Sequence, residues 1–412
     1  MRIVFLNPSG QLGGAETALL DLLAAIRQAR PSWSLGMIAS AGGPLVERAV
    51  NLGVRCDVLP FPQSLARLGE WGRRGSAATR LQLGAALVGA AVPALRYASR
   101  LRRGLRGLDP DIVHTNGLKM HLLGARCRPD GARLVWHLHD YPDARPVTAA
   151  LLRTQAHRCA VALANSDSVA RHARKLFGDA MPVRTLYNSV DLDRFCPEGR
   201  ALDLDALAGA PPLVPGGIRI GLVGTFARWK GQDVFLDALS RLVVPAVASG
   251  AGRPALRGYI IGGPIYQTDA SQFSLQELRD LAVKFGLGDA VAFTGRIDDV
   301  PAALRALDVV VHASTEPEPF GLVIAEAMAT ARPVVVSRAG GAAEIAAAGA
   351  LFHSPGDAAE LADRLSELIE SPELRASLGQ AGRAAAVRLF DRRRLSETLV
   401  PLYEALAPER QA

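Results

Sequence analysis

The chain has 412 residues, of which 49% are apolar and 21% are charged, and this composition is enough for two globular domains of ordinary size. The net charge of +7 is modest for this length, and only 5% of the residues are aromatic, which argues against a nucleic-acid-binding protein. The four cysteines are far apart and form no C-x-x-C pair. They argue against a structural zinc site and favour a reducing cytoplasm.

Short apolar runs that end in turn residues predict buried strands along the whole chain. The opening run ends at Asn7-Pro8 and is too short for a secretory signal, so it indicates a first strand. The predicted strands span residues 3–6, 111–114, 133–137, 161–164, 218–223, 259–261, 290–293, 309–311 and 333–336. They alternate with helical patterns, which predicts the α/β class with parallel sheets covered by helices on both faces.

Both halves of the chain open with a strand, a glycine-bearing loop and a helix, which predicts two similar domains. Prolines and glycines interrupt the periodicity between Ala201 and Gly217, so the join is predicted there. We therefore expect an N-terminal domain over residues 1–205 and a C-terminal domain over residues 206–390. The spacing of Leu395, Leu399 and Leu402 predicts a final helix within residues 391–412.

Two carboxylates, Glu318 and Glu326, lie eight residues apart around a predicted helix start. Pro319 and Gly321 end the preceding strand pattern, and helix-forming residues follow from Leu322 onward. The first N–H groups and the positive dipole end of such a helix would form a phosphate site. Glu326 lies on the predicted inward stripe, where a carboxylate needs a partner such as a ribose hydroxyl. The alternative is that Glu318 caps the helix and Glu326 is solvated.

This segment resembles the two-glutamate signature of the retaining glycosyltransferases of family 4. Their fold is the GT-B arrangement of two facing Rossmann-like domains, with a C-terminal helix that crosses back to the first domain. The resemblance implies that Glu318 contacts the hydroxyls of the donor sugar and that Glu326 binds the nucleotide ribose. The backbone N–H groups of Gly321 and Leu322 would hold the distal phosphate, and Phe320 belongs to the same donor site.

The loop after the first strand of the second half carries two cations, Arg228 and Lys230. They are well placed to neutralise a diphosphate and to stabilise it as a leaving group. The family has a lysine before a glycine here, matched by Lys230, and often an arginine directly after the first glycine of the loop. This chain has Thr225 after Gly224, so we expect Arg228 to take over that role. The alternative for both cations is an ordinary solvated loop charge.

Further glycine turns follow two other predicted strands of the second half. Gly263 and the pair Thr294-Gly295 lie where a backbone can approach a ligand at the carboxyl edge of a parallel sheet. In the resembled family these loops border the base and ribose of the nucleotide. Each could equally be a mere tight turn. Glu344, which follows a glycine pair, is better explained as a helix-start charge than as a contact.

The N-terminal half is expected to supply the acceptor pocket and to close over the donor, with Gly13 and Gly14 among the donor-binding residues. Gly13 and Gly14 would let the backbone of the first loop approach a sugar or phosphate. His139 belongs to a histidine-aspartate pair that matches one in the family, where the histidine reaches the transferred sugar near the reacting centre. His114 and His137 are expected to be core or edge residues.

The segments that end the predicted strands show no D-x-D, and no histidine and acid cluster has ligand spacing, so neither a metal nor a cofactor is indicated, and the nucleotide sugar is a co-substrate. Arginine, lysine and the helix dipole would replace a metal ion. The resemblance implies retention of anomeric configuration: the diphosphate departs, the acceptor attacks from the same face, and the leaving phosphate oxygen takes the acceptor proton.

One stretch is crowded with arginines, namely Arg96, Arg100, Arg102, Arg103 and Arg106. It follows an apolar stripe at helical spacing, formed by Leu81, Ala85, Val88, Val92 and Leu95. We interpret this segment as a peripheral contact with anionic lipid, or as a docking face for a lipid-linked acceptor. The alternative is a buried helix followed by a solvated basic turn. The expected location is the cytoplasm, at the inner face of the membrane.

The sequence therefore predicts a retaining glycosyltransferase that acts on a glycan or lipid-linked saccharide in cell-surface polysaccharide or glycolipid synthesis. Two other functions stay open. A sugar-nucleotide epimerase would share the donor site without needing an acceptor, and a non-catalytic subunit would bind the nucleotide sugar only.

Overall fold

The structure is a computed structural model that describes residues 1–64, 77–249, 254–264, 271–346 and 349–407, with only the backbone of residues 77–88, 90 and 244–249. The chain divides into two compact units. One comprises Met1–Ser189 together with Arg392–Ala412, and the other comprises Val190–Asp391. The predicted domain boundaries at residues 205–206 and 390–391 stay predictions, although residues 190–205 group with the second unit.

The first unit contains a parallel sheet of seven strands in the order β3-β2-β1-β4-β5-β6-β7. The strands are β1 (Arg2–Asn7), β2 (Ser34–Ala39), β3 (Arg55–Val58), β4 (Ile112–Asn116), β5 (Arg133–Leu138), β6 (Val161–Ala164) and β7 (Val183–Thr185). The helices that precede β7 are α1 (Gly14–Ala29), α2 (Pro44–Asn51), α3 (Ala77–Leu108), α4 (Leu118–Cys127), α5 (Pro146–Gln155) and α6 (Asp167–Phe177).

The second unit contains a parallel sheet of six strands in the order β10-β9-β8-β11-β12-β13. The strands are β8 (Ile218–Val223), β9 (Leu256–Ile261), β10 (Val291–Gly295), β11 (Val309–His312), β12 (Val334–Ser337) and β13 (Ala350–His353). The helices are α7 (Leu204–Ala208), α8 (Gln232–Ser249), α9 (Leu275–Lys284), α10 (Val300–Arg305), α11 (Leu322–Ala329), α12 (Gly340–Ile345), α13 (Ala358–Glu370) and α14 (Pro372–Phe390).

Both sheets confirm the predicted class of Rossmann-like halves. In each sheet the strand order reverses at one point, between β1 and β4 in the first unit and between β8 and β11 in the second. Ligands of such sheets bind beside the carboxyl ends of the strands at this reversal. The central strands are buried over nearly their full length, because helices cover both faces of a parallel sheet.

The chain returns to the first unit with its last helix, α15 (Arg393–Leu406), which packs on α1 and confirms the predicted final helix. Leu399 and Tyr403 are fully buried. The Tyr403 hydroxyl lies 2.7 Å from Nδ1 of His114, and the Arg392 guanidinium donates to the Asp21 carboxylate at 2.8 Å. Apolar burial and polar contacts such as these therefore hold α15 in place.

The predicted join contains a short helix that is fastened to the second sheet. Asp205 of α7 is 4% exposed and accepts hydrogen bonds from the Tyr259 hydroxyl and from the Leu213 N–H, at 2.6 and 3.0 Å. Its carboxylate also pairs with Arg257. A buried carboxylate needs such partners, so this segment belongs to the second unit.

Four of the strands, β2, β3, β7 and β13, were absent from the predicted elements. Gly36 interrupts β2, β3 and β7 are short strands at the sheet edges, and the first three residues of β13 are only half-buried. Edge strands lack the continuous apolar run that marks a central parallel strand. Within the described parts of the chain, no helix has both the length and the apolar character needed to cross a membrane.

Three histidines of the first unit, His114, His121 and His137, are buried, and a fourth, His139, is half-buried with both ring nitrogens inaccessible. His114 and His137 are the predicted core residues. Nδ1 of His121 lies 2.7 Å from the Thr115 hydroxyl oxygen, and the His121 ring stacks on Trp136. Burial lowers the pKa of all four rings, to about 3 for His114 and to about 4 for His139. All four are therefore neutral at pH 7.

We expect the protein to lose stability as the pH falls below 6.5, the ordinary pKa of histidine. Below that pH the histidines bind protons in the unfolded chain but not in the folded chain. The free energy of unfolding therefore falls by up to about 1.4 kcal/mol per pH unit for each buried histidine, until the pH reaches the pKa of the folded state. Melting curves between pH 7.5 and 5.5 measure this loss.

His121→Asn provides the matched test, because an asparagine amide can replace Nδ1 towards Thr115 without titrating. Its melting temperature should fall less steeply with pH than that of the wild type, whereas His157→Gln, at an exposed position, should leave the slope unchanged. An identical slope for the wild type and H121N would contradict the explanation.

Candidate functional site

Glu318 lies in the loop that joins β11 to α11, at the carboxyl edge of the second sheet. It is 8% exposed. Gly321 has φ +86° and caps α11, which begins at Leu322 and confirms the predicted helix start. A Cβ at Gly321 would also crowd Ile324, at 2.8 Å. The Glu318 carbonyl accepts the N–H of Gly341 at 2.8 Å, so the loop is anchored on both sides.

Lys230 donates a hydrogen bond to Oε2 of Glu318 at 2.5 Å. Both side chains are largely buried, with 20% of Lys230 and 11% of Glu318 exposed. Burial raises the pKa of Glu318, but the charge of Lys230 and a contact with His312 outweigh it and hold the pKa at about 2. The result is an ionised carboxylate beside a cation at the N-terminal end of a helix.

The loop that carries Lys230 is pressed against the end of β11. Gly231 has φ +73°, and a Cβ there would overlap the carbonyl oxygen of Ala313. The N–H of Thr315 donates to the carbonyl of Trp229 at 2.8 Å. Two loops that are far apart in sequence are therefore joined by backbone contacts, and this junction places Lys230 next to Glu318.

Arg228 has different partners from Lys230. Its guanidinium pairs with Glu277 of α9 at 2.5 Å and lies 4.3 Å from the centre of the Phe273 ring. Both members of the pair are nearly half exposed. The assignment of Arg228 to the phosphate stays a prediction, and the structure shows this side chain engaged beside the start of α9.

Three glycine loops meet at the carboxyl ends of β8, β9 and β10. The N–H of Gly224 donates to Ile261, and the N–H of Gly262 donates to Gly295, both at 2.9 Å. Gly262 has φ +144°, and a Cβ there would overlap the carbonyl oxygen of Gly224. The predicted residues Gly224, Thr225 and Gly263 lie in these loops, and Thr294 and Gly295 are the last two residues of β10. Their roles towards a nucleotide stay predictions.

The other predicted donor residues of α11 differ in exposure. Glu326 and Leu322 are half-buried, so the predicted inward position of Glu326 is only partly buried. Phe320 is 2% exposed, and its ring contacts Phe390 edge-on at 5.6 Å between centroids. The side chain of Phe320 therefore belongs to the core, and only its backbone can take part in a site.

In the first unit, the glycine loop after β1 is organised by two polar residues. Gly13 caps α1, and its N–H donates to Glu16 at 3.2 Å, while the Asn7 side chain donates to the same carboxylate at 3.3 Å. Burial raises the pKa of Glu16. Gly14 follows as the first helical residue and is exposed. Glu16 therefore holds the loop that the sequence predicts to approach a sugar.

His139 follows β5 at the carboxyl edge of the same sheet. Both of its ring nitrogens are buried, and neither has a hydrogen-bond partner in the described part of the chain. Its ring centroid lies 4.1 Å from that of His137. Such a neutral imidazole can offer one donor and one acceptor to a ligand.

Several residues around these sites were not predicted from the sequence. Asn7 and Glu16 organise the first loop, and His312 and Ser314 contact Glu318. Asn7 and His312 end strands and Ser314 follows one, each at the same edge as a predicted residue, whereas Glu16 lies in the first turn of α1. The position of Glu16 three residues after Gly13 is a sequence signal that could have indicated its role in the loop.

Two family descriptions match the chain, one in each half. "Glycosyltransferase Family 4" matches residues 12–194, and "Glycosyl transferases group 1" matches residues 210–385. The phosphatidyl-myo-inositol mannosyltransferase of Mycobacterium tuberculosis is 30% identical over 409 residues, which cover 96% of this chain and 94% of that protein.

The D-inositol 3-phosphate glycosyltransferase of Saccharomonospora viridis is 34% identical over 255 residues. That alignment covers 59% of this chain and 55% of the relative, so the chain spans about half the length of this and several other curated relatives.

A solved structure of Anabaena HepE in complex with UDP-glucose superposes with a TM-score of 0.76 at 24% identity, covering 98% of this chain and 100% of that one. This likeness shows a shared fold, and it agrees with the predicted GT-B class.

We expect Gly231→Ala to destabilise the protein by about 3 kcal/mol or more, because it adds an overlap with Ala313 to the cost of a left-handed backbone. Gly216→Ala is the matched control: Gly216 has φ +80°, but a Cβ there meets open space, so the cost should be only about 1 kcal/mol. Urea unfolding measures both values. Equal losses would contradict the close contact between the two loops.

Proposed function

Because the chain belongs to the family 4 glycosyltransferases, we propose that it moves a sugar from a nucleotide diphosphate sugar to a hydroxyl acceptor, with retention of anomeric configuration. The observation that carries this proposal is the contact of Lys230 with Glu318 at the start of α11, at 2.5 Å. It combines a cation, an ionised carboxylate and the N-terminal amides of a helix in one place.

These three groups suit a donor in which a diphosphate is joined to a sugar. The first N–H groups of α11 lack acceptors within the helix, so they can donate to phosphate oxygens. Lys230 adds a charge that stabilises the diphosphate as it leaves. Glu318 can accept hydrogen bonds from sugar hydroxyls, because its carboxylate stays ionised.

In the proposed reaction, the bond between the anomeric carbon and the phosphate oxygen breaks, and its electron pair leaves with the diphosphate. The acceptor oxygen forms the new bond on the same face, and its proton passes to the departing phosphate oxygen. The protein then has to bind and orient both substrates and to stabilise the leaving group. His139 would donate a hydrogen bond to the transferred sugar from a neutral imidazole, because burial lowers the pKa of its ring.

The acceptor is proposed to be a glycan or a lipid-linked saccharide. The end of α3 supports a peripheral contact with anionic lipid: Tyr97, Leu101 and Leu105 are buried, whereas Val92 and Leu95 are 56% and 71% exposed. The predicted stripe residues Leu81, Ala85 and Val88 lie outside the described side chains.

The predicted basic segment continues α3 to Leu108, so it is helical rather than the solvated turn of the alternative interpretation. All five of its arginines are exposed. Exposed apolar side chains beside exposed arginines suit the interface of a membrane that carries negative charge.

We expect one of UDP-glucose, GDP-mannose and ADP-glucose to raise the melting temperature of the wild-type protein, because a ligand of the folded state stabilises it. Lys230→Ala should weaken binding of that nucleotide sugar and of its nucleoside diphosphate, by about tenfold to a hundredfold. Glu318→Gln should weaken binding of the nucleotide sugar and leave binding of the diphosphate unchanged.

Glu316→Gln is the matched control, since Glu316 lies in the same loop and is exposed. Failure of all three nucleotide sugars to stabilise the protein, or unchanged diphosphate binding by K230A, would contradict the proposal. Recovery of an isomerised donor sugar from a labelled incubation would show an epimerase instead.

We expect the protein to sediment with vesicles that contain phosphatidylglycerol, and to do so less as salt rises. Neutralising Arg100, Arg102 and Arg103 to glutamine should weaken this binding by about tenfold or more, because each cation near an anionic surface adds to the attraction. Neutralising Arg153, Arg171 and Lys175, which are also exposed, should have a smaller effect. Equal effects of the two triple variants, or no binding at any salt concentration, would refute the lipid contact.

A further inference from the structure

Two buried polar residues lie next to the Glu318 carboxylate, on the strand end and the loop that lead to it. His312 is the last residue of β11 and is 4% exposed, and Ser314 is 1% exposed. Nε2 of His312 lies 3.0 Å from the Ser314 hydroxyl and 3.4 Å from Oε2 of Glu318. The Ser314 hydroxyl is 3.4 Å from the same carboxylate oxygen. The family resemblance assigned no role to either residue.

The surroundings of His312 decide which ring nitrogen carries the proton. Nδ1 is buried and has no hydrogen-bond partner in the described part of the chain, whereas Nε2 faces a hydroxyl and a carboxylate. A proton on Nδ1 would leave a buried donor unpaired and would turn the Nε2 lone pair towards a negative oxygen. The geometry therefore places a proton on Nε2.

With the proton on Nε2, every donor has an acceptor. His312 donates to Ser314 and towards Glu318, and the Ser314 O–H donates to Glu318. Lys230 donates to the same oxygen. A carboxylate that is held by the lysine alone could turn with a flexible side chain, but two further donors from β11 and its loop restrict its rotation.

We propose that His312 and Ser314 are positioning residues that aim the Glu318 carboxylate at the hydroxyls of the donor sugar. The inference rests on the proposed function and adds the residues that decide sugar recognition at that site. Substitution of His312 or Ser314 that removes the hydrogen-bond donor should therefore weaken recognition of the sugar, while Lys230 and the N–H groups of α11 still bind the diphosphate.

The experiment compares variants that keep or lose the donor at the Nε2 position. A glutamine amide reaches as far from the backbone as Nε2, whereas an asparagine amide reaches only as far as Nδ1. His312→Gln should therefore preserve the contact and His312→Asn should lose it, although both are polar and uncharged. Ser314→Ala removes the hydroxyl at an independent position.

Calorimetric titrations of the wild type first identify which of UDP-glucose, GDP-mannose and ADP-glucose it binds. The dissociation constants of that nucleotide sugar and of its own diphosphate, UDP, GDP or ADP, are then measured for every variant. S314A and H312N should weaken binding of the nucleotide sugar by about tenfold and binding of the diphosphate by no more than about twofold. Each variant loses a hydrogen bond to the charged Glu318 carboxylate, and this carboxylate is proposed to contact the sugar and not the diphosphate. H312Q should stay within about threefold of the wild type for both ligands.

Three results would overturn the inference. In the first, S314A and H312N bind the nucleotide sugar as tightly as the wild type does. In the second, they lose affinity for both ligands equally, as expected of a merely structural residue. In the third, H312Q and H312N lose the same amount of affinity for the nucleotide sugar. If E318Q weakens only the nucleotide sugar in the same titrations while the His312 and Ser314 variants do not, the proposed function stands and this inference fails. If the wild type binds none of the nucleotide sugars, the proposed function fails and the inference with it.

Discussion

The candidate site of the second unit is organised around the ion pair between Lys230 and Glu318. A carboxylate that is only 8% exposed is costly to desolvate unless cations or N–H and O–H groups surround it. Here a lysine, a histidine and a serine converge on one oxygen. The same requirement explains why the loops after β8 and β11 have to stay in contact, since Lys230 comes from one and Glu318 from the other.

The parallel topology makes that contact possible. Strands β8 and β11 are neighbours although about ninety residues separate them in sequence, so their carboxyl ends lie side by side. Glycines then let the following loops approach more closely than side chains would allow: Gly231 touches the Ala313 carbonyl and Gly262 touches that of Gly224. The helix that begins after Gly321 adds its amides to the same edge. The proposed site for a nucleotide sugar depends on these constraints.

The first unit uses neutral polar groups at the corresponding edge of its sheet. Desolvation of the ring nitrogens keeps His114, His121, His137 and His139 uncharged, and Asn7 and Glu16 fasten the loop after β1. A neutral His139 suits recognition of hydroxyl groups better than neutralisation of phosphate. The two units therefore present different chemistry, with charge in the second and mostly uncharged polar groups in the first.

Sequence alone determined the α/β class, the central strands and the start of α11, because buried parallel strands and helix caps have local signatures. It also singled out Glu318 and Lys230 as candidate site residues. It did not determine strands such as β3 or β7, whose residues pair only because a neighbouring strand offers an edge. Arg228 shows the same limit: its position in the loop suggested a phosphate ligand, but only the folded chain brings Glu277 and Phe273 beside it. The roles of His312 and Ser314 also needed the tertiary structure, since a hydrogen bond depends on distance and direction, which residue spacing within an irregular loop does not specify.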